Sequence, residues 1–252
     1  MENSIDINCD LGECNDQEGL DREIELLPLI SSVNMSCGFH AGKMEFIERL
    51  IGLAVTSGLA VGVHPSYPDK SGFGRRPMQI VPSELKLLIQ IQINKIGELL
   101  QPYGRSLSHI KPHGALYHAA MKGEDDAKSL IDAILDTDPT LPLMGQPGTA
   151  LEEMANREGI RYIREGFADR AYSADGTLVP RSEKNAVFTD PEDAVIQTML
   201  LVRNKKVRAN GVSIPMKVDS ICVHSDNENA YELLAAVNHA LKEENIKIKF
   251  PY

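Results

Sequence analysis

The 252-residue chain contains no tryptophan, and its aromatic residues amount to 5%. Stacking platforms for single-stranded nucleic acid are therefore not to be expected. Basic charge is also scarce: 26 lysines and arginines face 36 acidic residues, and the net charge of −10 repels phosphate backbones. No apolar run approaches the ~20 residues that cross a bilayer. Gln90 and Gln92 interrupt even the richest segment, Leu85 to Ile96. The N-terminus, Met1-Glu2-Asn3-Ser4-Ile5-Asp6, is acidic and lacks the basic and apolar regions of a signal peptide. Together these features predict a cytoplasmic protein with no nucleic-acid or membrane partner. Only four cysteines occur, Cys9, Cys14, Cys37 and Cys222, and none forms a C-x-x-C pair. A cytosolic chain of this length needs no disulfide staples. Cys9, Cys37 and Cys222 read as small apolar residues near strand ends, whereas Cys14 stands in a polar loop. Neither G-x-x-x-x-G-K-[ST] nor G-x-S-x-G is present, so no motif supports a nucleotide site or a serine-hydrolase elbow.

What the chain does have is alternation. Seven short apolar runs read as strands: Ser4–Cys9, Ser32–Ser36, Leu59–His64, Ser106–Ile110, Leu141–Met144, Arg161–Arg164 and Ser220–Val223. Helical spacing separates several of them, as in Met44, Ile47, Leu50, Ile51 and Ala54, which Gly58 closes. Ser83 is the expected cap of a long helix to Gln101, and Asp190-Pro191 opens another. Asp21 is the expected acidic start of the first helix, and Asn210-Gly211 signals a hairpin. One long insertion, Ala171 to Phe188, interrupts the rhythm, and no linker or repeat divides residues 1–252, so a single domain is expected. Repeated strand–helix units predict an α/β fold with a parallel sheet.

Reactive side chains follow six of the seven strands: Asp10, His40, His64, His113, Asp169 and His224. In an open sheet, strands ~4.8 Å apart would spread seven strand ends over roughly 30 Å. A closed barrel brings them around one mouth, where barrel enzymes place their chemistry. Four histidines in the same relative position argue for a site, whereas His109, His118 and His239 lack that placement and read as packing or surface residues. Asp10, Glu13, Glu165 and Asp169 are candidates for activating water, with a histidine as acid or carbonyl polariser. The alternative for each carboxylate is a structural salt bridge to Arg170 or Lys111. Three histidines and an aspartate also suit a divalent metal, although no two of His40, His64, His113 and His224 stand in H-x-x-x-H spacing, and metal binding is left open. Arg75, Arg76, Lys111 and Arg170 lie in the same loops and suit an anionic substrate, Arg76 being the one most readily explained by solvation.

Seven ordered motifs resemble the LamB/YcsF family. They are Asn8-Cys9-Asp10-Leu11-Gly12-Glu13, Ser36-Cys37-Gly38-Phe39-His40-Ala41-Gly42 and His64-Pro65-Ser66-Tyr67-Pro68-Asp69. The others are Gly72-Phe73-Gly74-Arg75-Arg76, Lys111-Pro112-His113-Gly114-Ala115-Leu116-Tyr117, Glu165-Gly166-Phe167-Ala168-Asp169-Arg170 and Ile221-Cys222-Val223-His224. The resemblance implies a seven-stranded parallel β/α (TIM-like) barrel similar to the glycoside hydrolase/deacetylase fold. It further implies the A subunit of an ATP-dependent 5-oxoprolinase, opening 5-oxo-L-proline to L-glutamate with subunits B and C. A homo-oligomer is left open. Cys14-Asn15-Asp16 and Ser225 depart from the family pattern at the rim. Two other readings stay open: a metal-dependent deacetylase or amidohydrolase, and a non-catalytic subunit that captures 5-oxoproline.

Overall fold

Alternation of strand and helix is what the chain forms in the computed structural model, which describes residues 3–123, 125–209 and 211–252. Met1 and Glu2 of the acidic N-terminus, and Asn210 of the hairpin signal, lie outside them. In chain order the elements are β1 (Ser4–Leu11), α1 (Gln17–Leu26), β2 (Ser32–Ser36), α2 (Met44–Thr56) and β3 (Ala60–His64). Next come α3 (Pro82–Leu100), α4 (Gly114–Met121), α5 (Asp125–Thr137), β4 (Leu143–Gly145), α6 (Ala150–Arg157) and β5 (Tyr162–Phe167). The last are α7 (Pro191–Asn204), β6 (Lys206–Ala209), β7 (Val212–Pro215), β8 (Ser220–Cys222), α8 (Ala230–Glu243) and β9 (Lys247–Ile248). Two compact units divide the chain: the first comprises Met1–Cys9, Glu25–Ser31 and Arg164–Tyr252, the second Asp10–Ile24 and Ser32–Ile163.

In the second unit β2 and β3 pair in parallel, from Ser32 opposite Ala60 to Ser36 opposite His64. Ile110 then forms parallel bridges to Val63 on one side and Leu143 on the other. Ile47, Leu50, Ile51 and Ala54 are fully buried, as the spacing along α2 predicts for one apolar face. In the first unit β8 pairs in parallel with both β1 and β5, placing Ile221 beside Ile7 and beside Gly166. An antiparallel β6–β7 pair sets Ala209 opposite Val212, where the hairpin signal placed a turn.

Six of the seven expected strands are present as strands. The fourth, Ser106–Ile110, is not one, and its pairing shows why. Ile110 N donates to Pro142 O and Met144 N to Ile110 O, but Pro142 has no N–H to extend that ladder. Pro112 ends the segment on its other side. Three boundaries also differ. The first helix starts at Gln17, ahead of Asp21. Val81, not Ser83, precedes α3, because Pro82 with its fixed φ takes the first helical position. The sixth strand runs on to Phe167, so Glu165 lies inside β5, fully buried, rather than in a loop beyond it.

Candidate functional site

The second unit gathers six of the predicted residues into one buried cluster. Asp10 leaves the end of β1, His64 ends β3, and Lys111 and His113 flank Pro112 just before α4. His40 is carried by the turn between β2 and α2, and Glu13 follows Gly12. All six are less than 9% exposed. Lys111 Nζ donates to Asp10 Oδ1 at 2.8 Å, and Asn34 Nδ2 donates to the same oxygen at 2.8 Å. The other carboxylate oxygen, Oδ2, lies 3.4 Å from His64 Nε2. His64 Nδ1 donates to the Lys111 carbonyl at 2.7 Å, and His113 Nε2 donates to the Phe73 carbonyl at 2.8 Å. His113 Nδ1 stands 3.0 Å from His64 Nε2 and 3.3 Å from Glu13 Oε1. His40 lies stacked on His113 with centroids 3.9 Å apart, and its Nε2 donates to Glu13 Oε1 at 2.8 Å. The salt bridge weighed as the alternative reading of Asp10 is thus formed, and it sits inside the cluster of histidines rather than apart from it.

Several residues that hold this cluster carry no motif. Ser66 Oγ donates to His40 Nδ1 at 2.7 Å, and Gln92 clamps the Ser66 backbone, accepting from its N at 2.9 Å and donating to its O at 3.0 Å. Gln92 was legible only as a polar residue on the buried face of α3, between Ile89 and Ile93. His109, expected to be packing, is fully buried and donates from Nε2 to Asn34 Oδ1 at 2.6 Å, which orients the amide that holds Asp10. Gly62 makes room for it: a Cβ there would lie 2.3 Å from His109 Nε2. Glu23 accepts from the backbone N of Gly12, Glu13 and Cys14 at 2.6, 3.1 and 3.1 Å and fixes the turn that presents Glu13.

Burial decides the charge of these rings. Desolvation, then the positive charge of neighbouring histidines, holds His40 and His113 well below the usual imidazole range. Burial and then Lys111 bring His109 down to about 3, so it serves as a neutral donor. Burial raises Glu23 to about 7 against the pull of its three backbone donors.

Arg75 and Arg76 take different places from Lys111. The Arg75 guanidinium lies over the Phe73 ring, 4.7 Å from its centroid, and the residue is exposed. Arg76, expected to be merely solvated, binds Asp69 through Nε at 3.0 Å and also through Nη2. Asp69 in turn accepts from Gly72 N at 3.0 Å. These contacts brace the loop in which Phe73 adopts φ 55° and turns its carbonyl to His113.

In the first unit Asp169 and His224 form a pair, with His224 Nδ1 3.0 Å from both carboxylate oxygens and His224 N donating to Oδ2 at 3.2 Å. Phe167 stacks on the His224 ring at 5.5 Å. Arg170 is buried and donates to Ala186 O at 3.2 Å and Val179 O at 2.6 Å, so those two donors hold the insertion. Burial alone would raise the Asp169 carboxyl, but the His224 charge and hydrogen bonds outweigh it and hold that carboxyl below its ordinary value. A depressed folded value gives stability that is present above the unfolded carboxylate pKa of about 3.9 and is lost as pH falls through the lower folded one. Asp169→Asn is therefore expected to destabilise the chain at neutral pH by about 1.5–3 kcal/mol. Urea midpoints of the two proteins should converge as pH falls below about 4.

The sequence profile of the LamB/YcsF family matches residues 5–251. This chain belongs to the LamB/YcsF family. A Pyrococcus furiosus protein named as the A subunit of 5-oxoprolinase is 42% identical over 245 residues, 97% of this chain and 96% of that protein. Another of the same name, from Geobacillus kaustophilus, is 39% identical over 249 residues, 98% and 97% of the two chains. The crystal structure of the lactam utilization protein from Thermus thermophilus superimposes with a TM-score of 0.90 at 38% identity, covering 98% of this chain and 99% of that one. Within the second unit of this LamB/YcsF chain, two groups of side chains could hold a metal ion, Asp10 with His64 and His113, and Glu13 with His40 and His113.

Burial and then the Glu23 carboxylate push the Cys14 thiol up to about 12, which favours its neutral form. The glycine of the His40 turn has a steric reason. Gly42 has φ +87°, and a Cβ on it would lie 1.9 Å from Gly12 O. Gly42→Ala is expected to cost about 3 kcal/mol or more, lowering Tm by roughly 6–12 °C in a thermal melt.

Proposed function

We propose that the chain is the A subunit of an ATP-dependent 5-oxoprolinase, opening the lactam of 5-oxo-L-proline to L-glutamate with subunits B and C. The observation that carries this reading is full-length identity of about two residues in five to proteins named as the 5-oxoprolinase A subunit. The proposed architecture is a single domain with a seven-stranded β/α barrel. Six formed strands and the bridging segment at Ile110 support it.

A five-membered lactam is a stable amide, so its opening needs an activated carbonyl, a positioned water and a proton for the departing nitrogen. The buried cluster has the parts for the last two. Asp10 is held as a carboxylate by Lys111 and Asn34 on one oxygen and turns the other toward the histidines, the placement of a base that deprotonates water. His40 and His113, held below the usual imidazole range, relay the proton to nitrogen. Phosphorylation of the lactam oxygen by ATP would activate the carbonyl. That step is assigned to the partner subunits, since this sequence has no G-x-x-x-x-G-K-[ST] loop. Asp169 and His224 are proposed as further catalytic residues, and Glu165 and Arg170 as substrate-binding ones. His113→Ala tests the reading: in the assembled complex it should lower glutamate formation by about 10²-fold or more. Full activity would remove His113 from the mechanism.

A further inference from the structure

In a chain whose net charge is −10, one cavity of the second unit is walled by lysine. Its volume is about 460 Å³, and Lys43, Lys70 and Lys95 line it with a single carboxylate, Glu45. Three lysines against one glutamate give the lining a formal charge of +2. The lysines come from three elements: Lys43 precedes α2, Lys70 lies in the loop after β3, and Lys95 is part of α3. Elsewhere in this unit Lys86, Lys111 and Lys128 are salt-bridged to Asp136, Asp10 and Asp132. Among the described residues no carboxylate pairs with Lys43, Lys70 or Lys95. Their contacts are with neutral groups. Lys95 Nζ donates to Cys37 O at 3.2 Å and lies 5.7 Å from the Phe39 ring centroid, and Lys43 Nζ lies 5.3 Å from that of Phe46. An ammonium has three N–H donors, so Lys95 keeps two for a ligand. Gathering like charges around one space costs free energy that a bound anion offsets.

We propose that this cavity binds a phosphate-bearing small molecule. The lining has no arginine, whose planar fork matches a carboxylate with two parallel bonds. Lysine is a point charge, and several of them around one centre suit the spread oxygens of a phosphate. A phosphate monoester carries about −1.5 to −2 at neutral pH, which the lining balances. The volume lies within the roughly 300–1,000 Å³ of small-molecule sites. Glu45 is the one group on the wall that opposes an anion. The place also matters. Gly38 and Gly42, which line the cavity, bracket the turn that carries His40. Lys70 belongs to the loop that turns the Phe73 carbonyl to His113. A ligand held by Lys43 and Lys70 would tie together the two loops that position His40 and His113.

The site goes beyond the oxoprolinase reading and does not depend on it, because binding is measured on this chain alone. The full chain is titrated by calorimetry at low ionic strength with inorganic phosphate, with pyrophosphate and with magnesium-free ATP. At least one of the three is expected to bind at one site per chain. Its affinity should fall about 10-fold or more in Lys43→Gln, in Lys70→Gln and in Lys95→Gln, as for loss of a charged hydrogen bond. It should rise in Glu45→Gln and stay unchanged in Lys128→Gln, which removes the same charge outside the cavity. Circular dichroism checks that each variant is folded. Binding of phosphate or pyrophosphate with that lysine dependence supports the site and makes the free anion sufficient. Binding of ATP alone with the same dependence supports it as a site for nucleotide phosphates. Wild-type protein that binds none of the three would overturn it. So would affinity that persists in the folded Lys43→Gln/Lys70→Gln/Lys95→Gln variant, or that falls equally in Lys128→Gln. Any of these failures leaves the lactam reading to be judged by glutamate formation.

Discussion

Replacing Asp10 with asparagine is expected to reduce glutamate formation by the proposed three-subunit enzyme by about 10³-fold, within the range for loss of a general base. Asparagine keeps the shape of the side chain and can still accept from Lys111, but it cannot take a proton from water. A chain that merely captured 5-oxoproline for its partners would instead lose affinity and keep its turnover. Comparing kcat with KM therefore separates the two roles. The metal-dependent deacetylase reading is separated differently. It predicts hydrolysis of N-acetyl substrates by the chain alone without ATP, and the lactam reading predicts none.

The second large effect is on stability. Lys111 is 2% exposed, and its ammonium lies 2.8 Å from the Asp10 carboxylate. Lys111→Met removes the cation and leaves a buried carboxylate without its main charge partner. The expected cost is about 3–5 kcal/mol, or a fall in Tm of roughly 6–20 °C. Adding Asp10→Asn to that variant should restore much of the loss, since neither charge then remains buried alone. Activity should not return with it. Recovery of both would mean that the salt bridge is the whole role of Asp10.

That pair shows what the sequence could and could not reveal. The alternation of strands and helices predicted seven strands, of which six are formed, and the recurrence of histidine and aspartate after them predicted His40, His64, His113 and Asp10 as neighbours. Both are local patterns, and local patterns are legible in one chain. The roles of Arg76, His109 and Gln92 are not local. Each depends on what lies opposite across 7, 75 and 26 positions of sequence, at Asp69, Asn34 and Ser66 respectively. Gln92 in particular read as an interruption of an apolar run, when its amide is the clamp on the residue that orients His40. The missing fourth strand has a simpler origin: Ser106–Ile110 has strand propensity, but Pro142 on its neighbour has no N–H to extend the ladder on that side.

The proposed role of this chain is ATP-coupled opening of 5-oxo-L-proline together with two partners. The most direct measurement mixes the chain with subunits B and C, ATP and 5-oxo-L-proline, follows glutamate release, and omits each component in turn. Glutamate is expected only from the complete mixture, and none when this chain or ATP is left out. Glutamate from subunits B and C alone, or from this chain without ATP, would contradict it.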